Sequence, residues 1–344
     1  MTGAGVRRTA VLAAAASLAL VACTAPAQQA APASTTASVT SSPSSSPLPS
    51  SGSASPSVSS SPTVSPAPTP APVQAGSCPK GFSQAALRQC VKRATAVYVA
   101  AWTRQLESRG LAGVVPPKVV IFSSPPTNPC IDLSETDAVE ASFWCGKNGT
   151  IYVSANAAQY WTTQYAAAAK ERGVLASDAA AAGTTTAALA NGFPLVGTTT
   201  ELAHELGHWV QEVAGQRPWF DARLASPSFT TSNRATVVGE LSADCMAGWV
   251  QGRTAADGTW VDTRIGTWAH HATMAELGGD VYAVKKGFVF PPEKPKDIIG
   301  YGSAFSRIRL YDVGYVAGRA DQPGLTLCTT TVAGLVGSSA PPSP

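Results

Sequence analysis

The sequence predicts an α+β domain, and three observations support that class. Apolar residues recur at helical spacing between Ser83 and Ser108, which is typical of an amphipathic helix. Two short runs rich in β-branched and aromatic residues follow, at Val119–Phe122 and Thr150–Ser154, and both are typical of strands. Several helical patterns occupy the rest of the chain, and a few strands followed by several helices favour the α+β class.

Most of the predicted elements have local start or stop signals. Gly110 ends the first helix because glycine readily adopts the conformation that closes a helix. A capping box, Thr198-x-x-Glu201, predicts that a later helix begins near Thr198, and Gly215 and Pro218 mark its end. Further helices are predicted over residues 156–170, 233–252, 268–285 and 303–317, whereas residues 176–191 are Ala- and Thr-rich and ambiguous.

The N-terminus predicts export from the cytoplasm. Residues 1–22 combine a charged start at Arg7 and Arg8 with an apolar stretch from Thr9 to Ala22, which is too short for a comfortable transmembrane helix. Leu20-Val21-Ala22-Cys23 resembles the bacterial lipoprotein box. We therefore expect Cys23 to be lipidated and to hold the protein at the extracytoplasmic face of the membrane. The alternative is an ordinary secretory signal with an incidental cysteine.

Composition divides the remaining chain into three parts. Residues 24–77 are rich in Ser, Thr, Pro and Ala and carry no charge, so they cannot bury a core and are predicted to be a disordered tether. Residues 78–338 are long enough for one sizeable domain, and residues 339–344 are predicted to be a flexible tail. The net charge is only +3 and no basic cluster is interleaved with aromatic residues, so nucleic-acid binding is not expected.

An exported chain with an even number of cysteines favours disulfides. Cys23 is one of seven cysteines, and the other six allow fifteen pairings. Short loops favour Cys78–Cys90 and Cys130–Cys145, which leaves Cys245–Cys328. A cysteine metal site is the competing interpretation, but the chain has no C-x-x-C pair and an exported protein meets an oxidising environment.

Two motifs carry the chemistry. The first is His204-Glu205-Leu206-Gly207-His208, which holds two of the four histidines, and the second is Glu240-Leu241-Ser242-Ala243-Asp244. Positions i and i+4 share one face of a helix, so His204 and His208 can bind one zinc ion. Glu205 lies beside the first histidine and can act as the general base on a water in the open position.

The second motif repeats the i, i+4 spacing. Glu240 is the candidate third ligand, and Asp244 is the candidate acceptor for the free N–H of a ligand histidine, which would fix its tautomer. The competing interpretation of the first motif alone is a surface helix with two solvated histidines. The second motif makes that interpretation less favourable, because the two segments together supply a ligand set and its support.

The chain resembles the bacterial neutral zinc metallopeptidases at three places. The first two are His204-Glu205-Leu206-Gly207-His208-Trp209-Val210-Gln211 and Glu240-Leu241-Ser242-Ala243-Asp244-Cys245-Met246-Ala247-Gly248. The third, Tyr301-Gly302-Ser303-Ala304-Phe305-Ser306-Arg307-Ile308-Arg309, is looser. The resemblance implies a zincin-like fold with a small sheet on the active-site helix, one zinc ion held by His204, His208 and Glu240, and Glu205 as catalytic base.

The resemblance also implies an edge strand that captures an extended peptide, for which residues 151–154 are the candidate. The chain departs from the family pattern at Trp209 and at Tyr301, where the family usually has histidine. A Tyr301 phenol can donate a hydrogen bond to the oxyanion of a tetrahedral intermediate, although packing or capping is the common role of a tyrosine. His270 or His271 could serve instead, and Arg307 and Arg309 are expected to form ion pairs, one of them with Asp244 or a helix terminus.

The sequence therefore predicts a membrane-anchored extracytoplasmic zinc metallopeptidase that acts on a peptide or protein substrate. The alternative is a zinc-binding scaffold lipoprotein without turnover, because a fold does not fix a function. An open fourth position at the metal would favour the enzyme, and a fourth protein ligand would favour the scaffold.

Overall fold

The computed structural model describes residue 78 and residues 83–124, 126–130, 142–156, 186–260 and 302–343. Its helices are α1 (Gln84–Glu107), α2 (Thr186–Val213), α3 (Arg217–Leu224), α4 (Phe229–Ala256), α5 (Ala304–Arg319) and α6 (Gly324–Leu335), and its strands are β1 (Lys118–Phe122), β2 (Phe143–Cys145) and β3 (Thr150–Ser154). The fold is mostly helical α+β with a small sheet, as predicted. Among the described helices, none combines the length and the hydropathy that a membrane span requires.

The sheet has the strand order β1-β3-β2, and β3 is its central strand. β1 pairs with β3 in parallel and β2 pairs with it in antiparallel register, Phe143 opposite Tyr152. The prediction that residues 151–154 form the edge strand is therefore wrong, because both sides of β3 are hydrogen-bonded to neighbours. All five residues of β3 are buried, and within the described sheet the edge towards α2 is β2, which is too short to show a sequence pattern.

Helix α4 is the centre of the domain, since it contacts every other described helix. Its C-terminal half is buried almost continuously from Leu241 to Gly252. The rings of Trp102 on α1 and Trp249 on α4 lie 4.3 Å apart between centroids. Sixteen residues of α4 are buried, so this helix acts as the scaffold on which the others are placed.

Glycines bring α4 and α5 into backbone contact. A methyl group at Gly248 or Gly252 of α4 would overlap the carbonyl oxygen of Tyr311 or Tyr315, and one at Gly314 of α5 would overlap that of Cys245. These contacts follow the same order along α4 and along α5, so the two helices run in the same direction. Because neither backbone can move away without unpacking the helix pair, α5 is held in a fixed position along α4.

The predicted bounds of α1 and α5 agree with the structure to within two residues, α4 is four residues longer at each end than predicted, and no prediction covered α3 or α6. Ser83 and Ser303 cap α1 and α5 through their side chains, as their sequence position suggests. Helix α2 begins at Thr186 rather than near Thr198. Thr198 and Glu201 are buried in the helix interior, and the Glu201 carboxylate accepts a hydrogen bond of 2.7 Å from the Ser142 hydroxyl, so the apparent capping box is a tertiary contact.

The six paired cysteines lie in three disulfides, which are the pairs favoured above. The Cα atoms of Cys78 and Cys90 are 4.6 Å apart, those of Cys130 and Cys145 are 5.6 Å apart, and those of Cys245 and Cys328 are 5.5 Å apart. The last bridge joins α4 to α6 directly after Asp244. It therefore ties the end of the second motif to the C-terminal helix.

The C-terminal segment differs from the predicted flexible tail. Arg223 donates a hydrogen bond to the Ser339 hydroxyl, and Gln216 donates one to the carbonyl oxygen of Pro342. Pro341 is buried. The segment thus packs beside the turn between α2 and α3. The predicted signal and lipidation site at Cys23, the tether 24–77 and the helix 268–285 lie outside the described residues, as does most of the helix 156–170.

Candidate metal centre

Three side chains from two helices converge on one point. His204 and His208 lie one turn apart on α2, and Glu240 faces them from α4. The two Nε2 atoms are 3.2 Å apart. Glu240 places Oε2 3.3 Å from Nε2 of His204 and Oε1 3.7 Å from Nε2 of His208, so the trio offers two nitrogens and one carboxylate to a single centre.

These separations fit a zinc ion. Two atoms bound to one zinc at about 2.0–2.1 Å in tetrahedral geometry lie roughly 3.3 Å apart. The three measured separations, 3.2, 3.3 and 3.7 Å, cluster around that value. Two imidazole nitrogens and one carboxylate are also a donor set typical of catalytic zinc, which leaves the fourth position open.

Each histidine has an acceptor for its other ring nitrogen. Nδ1 of His204 donates to Oδ1 of Asp244 at 2.8 Å, and Nδ1 of His208 donates to Oε1 of Gln211 at 3.0 Å. Gln211 in turn donates to the carbonyl oxygen of Gly239 at 2.8 Å. Both Nε2 atoms therefore face the centre, which is the orientation that metal binding needs.

The Asp244 carboxylate is fully buried and also accepts a hydrogen bond from Arg307. Nη2 of Arg307 lies 2.8 Å from the same Oδ1 atom, and its Nη1 lies 3.9 Å from Oε2 of Glu240. Arg307 comes from the first turns of α5 and is 1% exposed. A fixed positive charge thus lies between two carboxylates of the site, whereas Arg309 points to the exposed side of α5.

The charges of the site alter the pKa values of its groups. Burial alone would lower the pKa of His204, but its hydrogen bond to Asp244 and the nearby carboxylates raise it to about 10. Burial alone would raise the pKa of Glu240, but the two histidines hold it well below the usual range. Together with the short separations, these opposite shifts indicate that, without a metal, protonated His204 forms an ion-paired cluster with the Glu240 and Asp244 carboxylates.

Glu205 lies beside the donors without joining them. Its carboxylate is buried and accepts a backbone hydrogen bond from Trp144 of β2, while burial raises its pKa. The short strand β2 therefore holds the base candidate in place. Ser142, Phe143 and Trp144 form one wall of the cavity that contains His204, Glu205 and Glu240.

The two helices cross next to these donors. A methyl group at Gly207 would lie 2.8 Å from Cα of Ala243, which is closer than carbon atoms normally approach. Gly207 adjoins His208, and Ala243 adjoins Asp244. The glycine of the first motif is thus needed where α2 and α4 touch.

The structure brings together five residues that the two motifs singled out: His204, Glu205, His208, Glu240 and Asp244. Tyr301, His270 and His271 lie outside the described residues, so their proposed roles stay predictions. The role of Gln211 was missed, although its position three residues after His208 on a helix is a usable signal. An ion pair with Asp244 or a helix terminus was expected for one of Arg307 and Arg309, and Arg307 forms the pair with Asp244.

A small sheet packed on an H-E-x-x-H helix, with a glutamate and an aspartate from a second helix, defines a zincin-like protein. Residues 196–324 match the model of the family described as "Putative neutral zinc metallopeptidase". No curated protein and no solved structure matches the chain. The family match supports a zinc peptidase.

Proposed function

We propose that this protein hydrolyses peptide bonds at a single zinc ion, with Glu205 as the general base. The convergence of His204, His208 and Glu240 at zinc-like separations, with the Glu205 carboxylate beside them in the same cavity, carries the proposal. The zinc peptidase family match is consistent with it. A bound zinc ion would polarise the scissile carbonyl and make water acidic enough to attack near neutral pH.

The side chains of this chain supply the remaining steps. Glu205 takes a proton from the attacking water and passes it to the nitrogen of the leaving amine, so one carboxylate acts first as base and then as acid. Asp244 and Gln211 keep Nε2 of each histidine aimed at the centre. Arg307 offsets the negative charge of Asp244, so a buried carboxylate beside the ligands remains paired.

The test is the isosteric variant Glu205→Gln. It should bind one zinc ion per chain, because Glu205 is not a ligand, and it should lose proteolysis by about a hundred- to ten-thousandfold, which is the contribution of a general base. Metal content is measured by mass spectrometry and cleavage by digestion of a peptide library. Glu107→Gln, at the exposed end of α1, is the matched control and should cleave normally.

Two results would contradict the proposal. If Glu205→Gln cleaved peptides as fast as the wild-type protein, Glu205 would not be the base. If the wild-type protein bound zinc tightly and cleaved nothing in the library, the alternative of a zinc-binding scaffold without turnover would be favoured. A fourth protein ligand at the zinc ion would favour the same alternative.

The proposed cellular location is the extracytoplasmic face of the membrane, through a lipid on Cys23. The support is in the sequence alone: a signal-like segment at 1–22, a lipobox-like tetrapeptide ending at Cys23, and an uncharged tether at 24–77. Cys23→Ser expressed in a bacterial host should move the protein from the membrane fraction to the soluble or secreted fraction. Unchanged membrane association of that variant would contradict the lipid anchor.

A further inference from the structure

The cavity at the metal centre, of about 610 Å³, has two chemically different walls. One wall consists of Ser142, Phe143 and Trp144 and carries the Glu212 carboxylate, which accepts a hydrogen bond of 2.9 Å from the Trp144 indole. The opposite wall is formed by α3 and the N-terminal half of α4. The difference between the walls bears on which side chain of a peptide can enter beside the scissile bond.

One face of α3 turns to the cavity. Arg217, Phe220, Asp221 and Leu224 all line it, and their spacing of i, i+3, i+4 and i+7 describes a single helical face. Leu224 is 48% exposed although it lies on that face. A large apolar residue facing an open cavity, rather than the core, is a feature expected of a ligand-binding surface.

The facing part of α4 carries small side chains. Ala235, Thr236 and Gly239 line the same cavity, and a methyl group at Gly239 would stand 3.5 Å from the ring of Phe220. That distance is ordinary van der Waals contact, so the absent side chain leaves room for about one methyl group beside the ring. Phe220, Leu224, Ala235, Thr236 and Gly239 together form what we call the apolar recess.

The recess directly adjoins the metal donors. Gly239 precedes Glu240 in the chain, and Thr236 lies one turn before Glu240 on α4. The five residues of the recess carry no charge, and the two charged side chains on the same face of α3, Arg217 and Asp221, form an ion pair of 2.7 Å with each other. A charged substrate side chain would lose hydration in the recess without gaining a partner, which is unfavourable.

We propose that the apolar recess is the specificity subsite for the residue beside the scissile bond, and that the substrates are peptides with a bulky apolar side chain there. The inference rests on the proposed peptidase function for its meaning, but the recess can be tested by binding alone. Burial of a Leu- or Phe-sized side chain should favour such peptides over Lys or Glu peptides by roughly ten- to a hundredfold.

The test uses one peptide scaffold with Leu, Phe, Ala, Lys or Glu at each position flanking the scissile bond. Cleavage by the wild-type protein gives kcat/KM, and fluorescence anisotropy of labelled peptides on zinc-loaded Glu205→Gln gives the dissociation constant. Leu224→Lys should lower kcat/KM for the Leu and Phe peptides about tenfold and raise it for the Glu peptide. Val316→Lys changes a valine on α5 that is 66% exposed and lies outside the cavity lining, so it should not alter the profile.

A second variant tests the shape of the recess. Thr236→Leu should narrow the recess and shift the preference from Leu and Phe to Ala, with thermal unfolding used to show that both variants fold. The inference is overturned if wild-type protein cleaves or binds charged and apolar peptides equally, or if Val316→Lys alters the profile as much as Leu224→Lys does.

The two readouts separate the inference from the proposed function. Cleavage without an apolar preference would overturn the recess as a subsite and leave the peptidase function standing. Selective binding of Leu and Phe peptides without any cleavage would support the recess and overturn the peptidase function. Absence of both binding and cleavage would count against both.

Discussion

The two halves of α4 show how one helix is used for two purposes. Its N-terminal half faces the cavity with small side chains and with Glu240. This half ends at Asp244, whose carboxylate is ion-paired. Its C-terminal half carries Gly248 and Gly252, which lie in backbone contact with α5. The N-terminal half works through the charge and orientation of its side chains, and the C-terminal half through close packing. Substitutions in or opposite the two halves should therefore destabilise the protein for different reasons.

The largest loss of stability is expected when a buried charge beside the N-terminal half of α4 is removed. Arg307→Met removes the cation between Asp244 and Glu240. Removing one partner of a buried ion pair costs about 3–5 kcal/mol, and the lower end of that range is expected here because protonated His204 still pairs with Asp244 in the metal-free protein. The free energy of unfolding of the metal-free protein, measured in urea, should fall by that amount. Zinc affinity should also fall, because Asp244 would no longer be held against His204.

Two controls make this result specific to the buried charge. Arg307→Lys keeps a positive charge and should recover part of the loss, whereas Arg309→Met, on the exposed side of α5, should change stability by less than about 0.5 kcal/mol. An Arg307→Met protein as stable as the wild type would mean that the ion pair does not support the site.

Opposite the C-terminal half of α4, a substitution should lower the stability of the protein only by adding volume to a close contact. Gly314→Ala places a methyl group on the carbonyl oxygen of Cys245, and overpacking of this kind costs about 1–3 kcal/mol. Gly334→Ala is the matched control, since nothing lies within 4 Å of its added methyl group and alanine is the better helix former by about 0.5–1 kcal/mol. If both substitutions stabilised the protein, the close contact between α4 and α5 would be wrong.

A smaller effect, on zinc affinity, is expected at Gln211, the uncharged side chain that orients His208. Gln211→Leu removes the acceptor of Nδ1 of His208 and should weaken zinc binding by about tenfold, at the low end for groups that orient a ligand. Gln105→Leu removes an amide that accepts from the Leu325 N–H and should leave zinc affinity unchanged. Chelator competition measures both, and equal affinities in all three proteins would contradict the role of Gln211.

The most gradual effect is the dependence on pH. The pKa of His204 is raised from 6.5 to about 10 in the metal-free fold, so its stabilising contribution is complete below pH 6.5 and is lost as the pH rises towards 10. Zinc requires the unprotonated ring. The difference in Tm between zinc-loaded and metal-free protein should therefore widen from pH 6.5 to 8.5, and a constant or narrowing difference would contradict the ion-paired cluster.

Residues with local signals were predicted well. Ser83 and Ser303 mark the starts of α1 and α5 because a capping side chain acts within three residues of its own position. The spacing of His204, Glu205, His208, Glu240 and Asp244 depends only on helix geometry, so the sequence already indicated which of them share a face. The structure adds how the two helices place these faces opposite each other.

Features that depend on distant contacts were not predicted. β2 is three residues long, and Thr198-x-x-Glu201 imitates a helix start because the partner of Glu201 is Ser142, far away in the chain. Residues 151–154 were assigned to a sheet edge because periodicity says nothing about strand order. Thr-rich α6 begins at Gly324 without a side-chain cap, so its start carries no local signal.

The close crossing at Gly207 sets the separation between the metal donors of α2 and α4. Since the donors come from two helices, the distance between the axes of α2 and α4 determines how far Glu240 lies from the two histidines. A methyl group at position 207 would push α4 away from α2 and would carry Glu240 away from the histidines. The hydrogen atom at position 207 thus keeps the three donors at separations that fit a zinc ion, without touching any ligand.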